Sequence, residues 1–159
     1  AIAHALAAPL DGGALVDFAA AVKQAEHILY LADNAGEIVF DRLLVEQLPR
    51  DKVTVVVKGS PVINDAVRQD AQTAGLTDMV EVIDNGSDVP GTILSSCSTS
   101  FRDRFASEDL IIAKGQGNYE SLSDTDKPIF FIFKAKCRVI TMDICCAIGS
   151  LVLRKSQAP

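Results

Sequence analysis

This sequence of 159 residues lacks the features that mark nucleic-acid-binding or membrane proteins. Lys and Arg number 15 against 21 Asp and Glu, and the net charge of −6 argues against a general nucleic-acid or anionic-membrane surface. No apolar run reaches the length of about 18 residues that a membrane-spanning helix needs. The composition, 48% hydrophobic and 23% charged, is instead that of a folded domain with a substantial core.

Cysteine and histidine are also scarce. The four cysteines, Cys97, Cys137, Cys145 and Cys146, form no CxxC pair and are accompanied only by His4 and His27. The sequence therefore predicts no zinc site. Because Cys145 and Cys146 lie in an apolar stretch, we expect them to be buried thiols. Cysteines without a disulfide framework favour a reducing, cytoplasmic setting.

Several catalytic and nucleotide-binding motifs are absent. The sequence contains neither the GxGxxG fingerprint nor the GxxxxGK[ST] phosphate loop, and the segment 115–118 (GQGN) matches only half of the former. The GxSxG elbow of serine hydrolases is missing too. We therefore expect neither nucleotide binding through these glycines nor hydrolysis by such a serine nucleophile.

Short apolar blocks alternate with segments of helical spacing. The block 27–32 (HILYLA) precedes 36–48 (GEIVFDRLLVEQL), whose apolar residues recur at helical intervals. The β-branched block 53–57 (VTVVV) is typical of a strand covered on both faces, and Asn64 or Asp65 is expected to cap the helix that follows. Further strands are predicted at 80–83, 110–113, 129–133, 139–141 and 151–153. This alternation predicts one α/β domain, a three-layer Rossmann-like sandwich with a mostly parallel sheet.

Polar loops follow the predicted strands. They are, in chain order, DNAGE, KGSPVIND, DNGSD, KGQGNYE and KAKC. In an open α/β sheet, ligands bind beyond the carboxyl ends of the strands, where these loops meet. Four of the five place a glycine beside an acid, an amide or a lysine, so the sequence predicts a ligand site at this edge of the sheet.

Asp33, Asn34 and Asp65 are oxygen donors at the ends of two neighbouring predicted strands. Hard divalent ions prefer carboxylate and amide oxygens, so these three side chains are candidates for a metal site with open positions. The alternative is that Asn34 and Asp65 only cap helices. Asp70 is a weaker fourth candidate, and Glu37 could complete a capping interaction at the start of its helix.

Four lysines lie at or just past the apolar blocks of this acidic sequence. They are Lys58, Lys114, Lys134 and Lys136. Phosphoryl oxygens need such cations, and glycine turns let backbone N–H groups approach them. The alternative is that each lysine is simply exposed at a strand end.

Together these loops resemble the metal-dependent damage-control phosphatases, first catalogued as domain of unknown function 89, and especially their single-domain prokaryotic branch. The resemblance runs from about position 27 to the C-terminus through LYLADNAGEIVFD, VVVKGSPVINDA, NGSDVPGTIL, LIIAKGQGNYESL and FFIFKAKC. Members carry an additional N-terminal helical region before these motifs. Since the chain starts without Met in a stretch typical of a helix, the resemblance implies that residues 1–159 are the C-terminal α/β part of a longer protein.

The resemblance also implies a set of site residues. Its metal ligands map onto Asp33, Asn34 and Asp65, which would hold Mn, Co, Ni or Mg. Its catalytic residues map onto Asp33, Lys114 and Lys136. Contacts to the substrate or its phosphate are implied for Gly91, Thr92, Gly115, Gln116, Gly117, Asn118 and Glu120.

The implied reaction is hydrolysis of phosphate monoesters on small metabolites, such as sugar phosphates and phosphopantetheine-like compounds. A divalent ion would activate or orient a water molecule while Lys114 and Lys136 neutralise the charge on the phosphate. Alternatively, Asp33 could attack phosphorus and form an aspartyl-phosphate. The segment after KAKC departs from the expected pattern, because Met142 and the paired cysteines are unusual there, although Asp143 keeps an acid nearby.

Three alternative functions remain open. A methyltransferase using S-adenosylmethionine suits the fold, but the DNAGE loop offers one glycine, and Lys58 stands where an acid would hold the ribose. The second is a non-catalytic module that binds a metal or a phosphorylated metabolite. The third is a structural fragment whose pocket is inert without its N-terminal region.

Overall fold

The computed structural model describes residues 10–156 of the chain. Its helices and strands are, in chain order, α1 (Gly12–Gln24), β1 (Ile28–Leu31), α2 (Ile38–Val45), β2 (Val53–Val57), α3 (Arg68–Thr73), β3 (Glu81–Asp84), α4 (Thr99–Ser107), β4 (Leu110–Lys114), α5 (Gln116–Leu122), β5 (Ile129–Lys134), α6 (Arg138–Asp143) and β6 (Leu151–Lys155). Residues 1–9, where the sequence predicts part of a helix and which include His4, lie outside the described residues.

Six strands form one sheet in the order β3-β2-β1-β4-β5-β6. The first five strands are parallel to their neighbours, and β6 pairs antiparallel with β5 from Phe130↔Lys155 to Lys134↔Leu151. Helices cover both faces, so the predicted α/β sandwich with a mostly parallel sheet is confirmed.

Every residue of β1, β2 and β4 is buried, which explains why these strands are apolar except at Thr54 and Lys114 and do not alternate. Ile28 and Tyr30 of β1 join a hydrophobic cluster with side chains of α1, α2 and α3. Leu29 and Leu31 point to the other face and join side chains of α4, α5 and α6. The two cores hold the central strands rigidly and so fix the loops at their ends.

The strand order reverses direction at β1, which lies between β2 and β4. The chain first moves to one edge through β2 and β3, then returns to the other side of β1 through β4. Such a reversal leaves a crevice at the carboxyl ends of the two central strands, because their loops diverge to opposite sides. The loop after β1 and the start of α5 border this crevice.

The segment 139–141, predicted as a strand, belongs to helix α6, and that prediction is wrong. Its residues Val139, Ile140 and Thr141 are β-branched and favour a strand locally. In the structure, β5 pairs directly with β6, so the sheet has no position for another strand between them. The helix instead buries Ile140 and Thr141 on one face and exposes Val139.

Two smaller predictions are also wrong. Cys145 is exposed and Cys146 is half-buried, because they follow α6 in a turn at the surface rather than in the core. Neither Asn64 nor Asp65 caps α3, whose first turn is capped by Asp70 accepting a hydrogen bond from Val67 N at 2.9 Å. Among residues 10–156, no helix is long and apolar enough to cross a membrane.

Candidate active site

Backbone hydrogen bonds join the loops that follow β1 and β2. Asn34 and Asp65 form an isolated antiparallel bridge, Ala66 N donates to Asp33 O at 2.8 Å, and Ala35 N donates to Asn64 O at 2.8 Å. This pairing brings together Asp33, Asn34 and Asp65, the three predicted metal ligands. Asp65 is therefore held by a tertiary bridge and not by a helix cap.

Asp33 lies half-buried at the centre of this arrangement. Burial, followed by the nearby carboxylates of Asp65 and Glu37, raises its pKa from 3.8 to about 6, against the opposing effect of Lys136 and Lys114. Within residues 10–156, no hydrogen-bond donor contacts either oxygen of the Asp33 carboxylate at hydrogen-bond geometry. The carboxylate is thus partly desolvated, close to like charges and open to a cation.

Gly115 makes room for this carboxylate. A Cβ atom at Gly115 would lie 2.1 Å from Asp33 Cγ and 2.2 Å from Oδ2, and the residue has a φ of +84°. Both observations exclude any larger residue without a shift of Asp33. The glycine that opens the KGQGNYE loop is therefore required by its contact with Asp33.

The donor set at Asp33 fits a hard divalent cation. It offers two carboxylates and the Asn34 amide, whose Oδ1 already accepts one hydrogen bond from Gly36 N at 2.7 Å and keeps a second lone pair. A cation would relieve the repulsion that raises the pKa of Asp33. Across residues 10–156, no three His, Cys, Asp or Glu side chains converge to hold a metal, so this set depends on the amide as its third protein ligand.

Lys58 is buried behind Asp65. Its ammonium lies 3.6 Å from Asp65 Oδ2, donates to Val89 O at 2.8 Å and also contacts Gly91 O. Burial lowers the pKa of Lys58, although the Asp65 carboxylate opposes this shift. Lys58 therefore ties the loop after β3 to the loop after β2.

Lys114 is buried as well, and its ammonium is already occupied by carboxylates. The Nζ atom lies 2.6 Å from Asp41 Oδ1 and also contacts Glu37 Oε1. Burial would lower the pKa of Lys114, but the two carboxylates outweigh it and raise that pKa. Glu37 therefore bonds to Lys114 and makes no side-chain capping bond at the start of α2, contrary to the capping interaction expected from the sequence.

A cavity of about 430 Å³ opens beside Asp33. It is lined by Leu10, Asp33, Glu37, Gly115, Gln116, Ile132, Phe133, Lys134, Lys136, Leu151 and Val152. Lys134 and Lys136 are its exposed cations, and Lys136 also donates its backbone N–H to Gln116 Oε1 at 2.9 Å. Asp33, Gly115, Gln116 and Lys136 thus line one cavity.

Other residues of the predicted phosphate site hold the loops together. Thr92 Oγ1 donates to Asn118 Oδ1 at 2.7 Å, and Asn118 Nδ2 donates to Lys114 O at 2.8 Å. A Cβ atom at Gly91 would lie 2.6 Å from Gly117 O, so the two glycines permit this close approach. Gln116 Nε2 donates to Glu120 Oε1 at 2.7 Å. Gly117 and Glu120 line a separate groove with Pro90 and Ile93.

Asp41 is the charged residue of this region that the sequence interpretation did not single out. It is 3% exposed and lies one helical turn after Glu37, so both carboxylates project from the same side of α2. The i, i+4 spacing of two acids on a helix that starts at the DNAGE loop was the available signal. Its partner Lys114 is 73 residues away and could not be identified from that spacing.

The fold is that of a doubly wound α/β domain. At the carboxyl ends of its strands lie two acids (Asp33 and Asp65), the Asn34 amide and two exposed lysines (Lys134 and Lys136). The family model of the damage-control phosphatase ARMT1-like domain matches residues 1–152. The chain belongs to this family.

Three relatives are similar to the chain over most of its length. The chain is 41% identical over 140 residues to a damage-control phosphatase of Pyrococcus horikoshii, covering 86% of this chain and 49% of that protein. It is 41% identical over 131 residues to a damage-control phosphatase of Archaeoglobus fulgidus, covering 80% and 46%. An uncharacterized protein of Methanocaldococcus jannaschii is 49% identical over 139 residues, covering 84% and 46%.

A solved structure shares the architecture. The crystal structure of a protein of the family of domain of unknown function 89 from Pyrococcus horikoshii superposes with a TM-score of 0.84 at 38% identity. The match covers 89% of this chain and 51% of that one. The chain thus spans about half the length of the relatives that it matches.

Proposed function

We propose that this protein is a metal-dependent phosphatase that hydrolyses phosphate monoesters of small metabolites, such as sugar phosphates or phosphopantetheine-like compounds. Two relatives named damage-control phosphatases support the proposal. The observation that carries it is the Asp33 carboxylate, which lies beside Asp65 and Glu37 with a pKa raised to about 6 and faces the same cavity as Lys136. The arrangement joins a cation site to a cationic wall for a phosphate.

In this proposal Asp33, Asn34 and Asp65 hold the divalent ion, which can be Mn, Co, Ni or Mg. When bound, the ion supplies Lewis-acid stabilisation of charge on the phosphate oxygens. Lys136 reaches the cavity from the loop after β5 and neutralises the phosphate from the other side. Gly115 and Gln116 shape the wall between them. The contacts of Lys114 with Glu37 and Asp41 favour a supporting role behind the cavity over the direct phosphate contact expected from the motifs.

The methyltransferase alternative has little support in this geometry. The loop after β1 contains a single glycine, Gly36, and the residue after β2 is the buried Lys58. A ribose would need an acid at that position.

The predicted cytoplasmic setting is supported by the cysteines, since Cys97, Cys137, Cys145 and Cys146 are all free.

The test is phosphate release by chelated protein, with Mg, Mn, Co or Ni added back, from a panel of sugar phosphates, phosphopantetheine and p-nitrophenyl phosphate. We expect metal-dependent release that Asp33→Ala abolishes. Thermal unfolding supplies a second readout, because an ion at 100 times its dissociation constant stabilises the folded state by about 2.7 kcal/mol. The metal should therefore raise the melting temperature of the wild type and not of Asp33→Ala.

Two outcomes would contradict the proposal. Full activity of Asp33→Ala would show that the phosphatase site lies elsewhere. Metal-dependent stabilisation without phosphate release from any substrate of the panel would favour a non-catalytic metal-binding module.

A further inference from the structure

Three charged side chains meet behind the cavity. Glu37 immediately precedes α2, and Asp41 lies one turn further along that helix. Lys114 is the last residue of β4, the strand next to β1. The Lys114 ammonium contacts Glu37 Oε1 and lies 2.6 Å from Asp41 Oδ1. We call Glu37, Lys114 and Asp41 the buried triplet, because the side chains of Lys114 and Asp41 are only 8% and 3% exposed.

The buried triplet is not expected to increase the stability of the fold. Two buried charges must lose their water, and well-packed apolar residues would stabilise the fold at least as well. Asp41 Oδ2 and the Tyr30 hydroxyl are both buried, and neither meets hydrogen-bond geometry with another group of residues 10–156. They are nevertheless close neighbours, since Asp41 contributes, after burial, to the raised pKa of Tyr30. Glu108 Oε2, at the amino end of the sheet, is buried without a hydrogen-bond partner as well. An unpaired buried oxygen therefore does not by itself assign a function to the triplet, and its connection to the cavity decides.

Glu37 connects the triplet to the cavity. It lines that cavity together with Asp33 and Lys136, and its side chain is 41% exposed. Lys114 and Asp41 do not reach the cavity, so they can act on a substrate only through Glu37. The ammonium of Lys114 holds one oxygen of the Glu37 carboxylate and leaves the other available.

We propose that Glu37 is a further catalytic residue, which orients and deprotonates the attacking water, and that Lys114 and Asp41 are positioning residues that fix its carboxylate. The inference rests on the proposed phosphatase function. A bond forms between the water oxygen and phosphorus as the bond from phosphorus to the ester oxygen breaks. One proton of the water passes to Glu37 and from there to the ester oxygen, which leaves as the alcohol.

The first test measures p-nitrophenyl phosphate hydrolysis by the full chain with its metal. We expect Glu37→Gln to lower kcat by about 100-fold or more, as for the loss of a general base. Asp41→Asn should lower kcat by about tenfold, as for a residue that orients an active-site group, with KM and metal affinity by calorimetry unchanged. In the double variant, Asp41→Asn should cause no further loss, because its effect passes through Glu37.

Glu108→Gln is the matched control. Glu108 is also 3% exposed and also pairs with a cation, Arg104, but at the amino end of the sheet. We expect this variant to alter the melting temperature and to leave kcat unchanged. If Asp41→Asn behaves like Glu108→Gln, or if its effect adds fully to that of Glu37→Gln, the positioning role is overturned. Lys114→Met replaces Asp41→Asn in the same assay if the latter does not fold.

A second measurement does not depend on activity. In ¹⁵N NMR spectra of metal-free protein, the Lys114 ammonium should give a slowly exchanging signal, and Asp41→Asn and Glu37→Gln should each accelerate its exchange by at least about tenfold. An unchanged exchange rate in both variants would show that Glu37 and Asp41 do not hold the Lys114 ammonium, and this result does not depend on phosphate release. Wild type that releases no phosphate contradicts the proposed function, whereas active wild type with a fully active Asp41→Asn contradicts only this inference.

Discussion

Each end of strand β2 carries an ion pair between a lysine and a carboxylate, and the two pairs lie in different environments. Lys52 precedes the strand and lies 3.6 Å from Glu26 Oε2, and Lys58 follows the strand and lies 3.6 Å from Asp65 Oδ2. Each ammonium also donates to a backbone carbonyl. The side chains of the first pair are 28% and 78% exposed, whereas those of the second are 6% and 12% exposed.

The comparison shows that the distance between two charges does not reveal what they do. At the amino end, water screens the charges, so the pair adds little to stability. At the carboxyl end, burial makes each charge depend on its partners, and removing one partner leaves the other uncompensated. The carboxyl ends of the strands also hold Asp33, whose pKa is raised by burial and by neighbouring carboxylates, and chemistry is expected there.

The largest expected effect is the loss of stability when Lys58 is replaced, compared with the loss when Lys52 is replaced. Lys58→Met should lower the free energy of unfolding by about 3 kcal/mol or more, because it leaves Asp65 and the carbonyls of Val89 and Gly91 without their donor. Lys52→Met should cost about 1 kcal/mol or less. Urea titration of both variants measures the difference, and equal losses would contradict the argument from burial.

Two glycines with positive φ extend the comparison. Gly115→Ala would place a Cβ atom 2.1 Å from Asp33 Cγ, so we expect a loss of about 3 kcal/mol and no stabilisation by added metal. Gly75 has a φ of +74°, and its Cβ atom would meet only the flexible end of Arg42. Gly75→Ala should therefore cost about 1 kcal/mol, and metal should still stabilise it. Thermal unfolding with and without metal measures both effects.

Asp33 and Asp109 should give opposite dependences on pH in metal-free protein. The pKa of Asp33 is raised to about 6, so the folded state binds its proton more tightly than the unfolded chain, and stability falls as pH rises from about 4 to about 6. Asp33→Asn should abolish this fall and be more stable than wild type at pH 7.5. We expect a gain of about 1–2 kcal/mol, since solvent screening reduces the full effect of the shift.

Asp109 is the control at the amino end of β4. Burial would raise its pKa, but the backbone N–H groups of Glu26 and His27 donate to it at 2.8 Å and lower that pKa. Its contribution is therefore present above the usual pKa of a carboxyl and is lost as pH falls. Asp109→Asn should destabilise the protein at neutral pH, and an Asp33→Asn variant that also loses stability there would refute the sign of our assignment.

The smallest effects are expected from two threonines that are both 3% exposed. Thr92→Val leaves the buried Asn118 Oδ1 without its 2.7 Å donor and should cost about 1–2 kcal/mol. Thr54→Val removes a 2.7 Å bond to Glu81 and a 2.7 Å bond from Arg104. The side chains of Glu81 and Arg104 are 54% and 37% exposed, so both can bond to water or to each other instead. That loss should be about 0.5 kcal/mol. Chemical denaturation of the two variants would contradict the prediction if Thr54→Val is the more damaging.

Much of the fold could be predicted because the central strands are local apolar runs. The predicted segments 27–32, 53–57, 80–83, 110–113, 129–133 and 151–153 each overlap an observed strand. The exception, 139–141, failed because β-branched residues favour a strand only where the sheet has an open edge to receive one. Here β6 occupies that edge next to β5.

Less of the candidate site could be predicted. The motifs located Asp33, Gly115, Gln116 and Lys136, which the structure places at one cavity, because loops at the carboxyl ends of parallel strands must converge. The partners of the lysines could not be predicted in this way. A lysine at a strand end has the same sequence signature whether it faces solvent, as Lys136 does, or a buried acid.

The sequence by itself determined the alternation of strands and helices, the identity of the polar loops and the net charge of −6. These follow from local periodicity and composition, which are properties of neighbouring residues. The tertiary structure alone decided that Lys58 pairs with Asp65 and that Lys114 donates to Asp41, 73 residues away in the sequence. It also decided that Asp33 is desolvated close to other carboxylates. Burial and charge pairing depend on distance in space, and only the folded sheet brings those residues together.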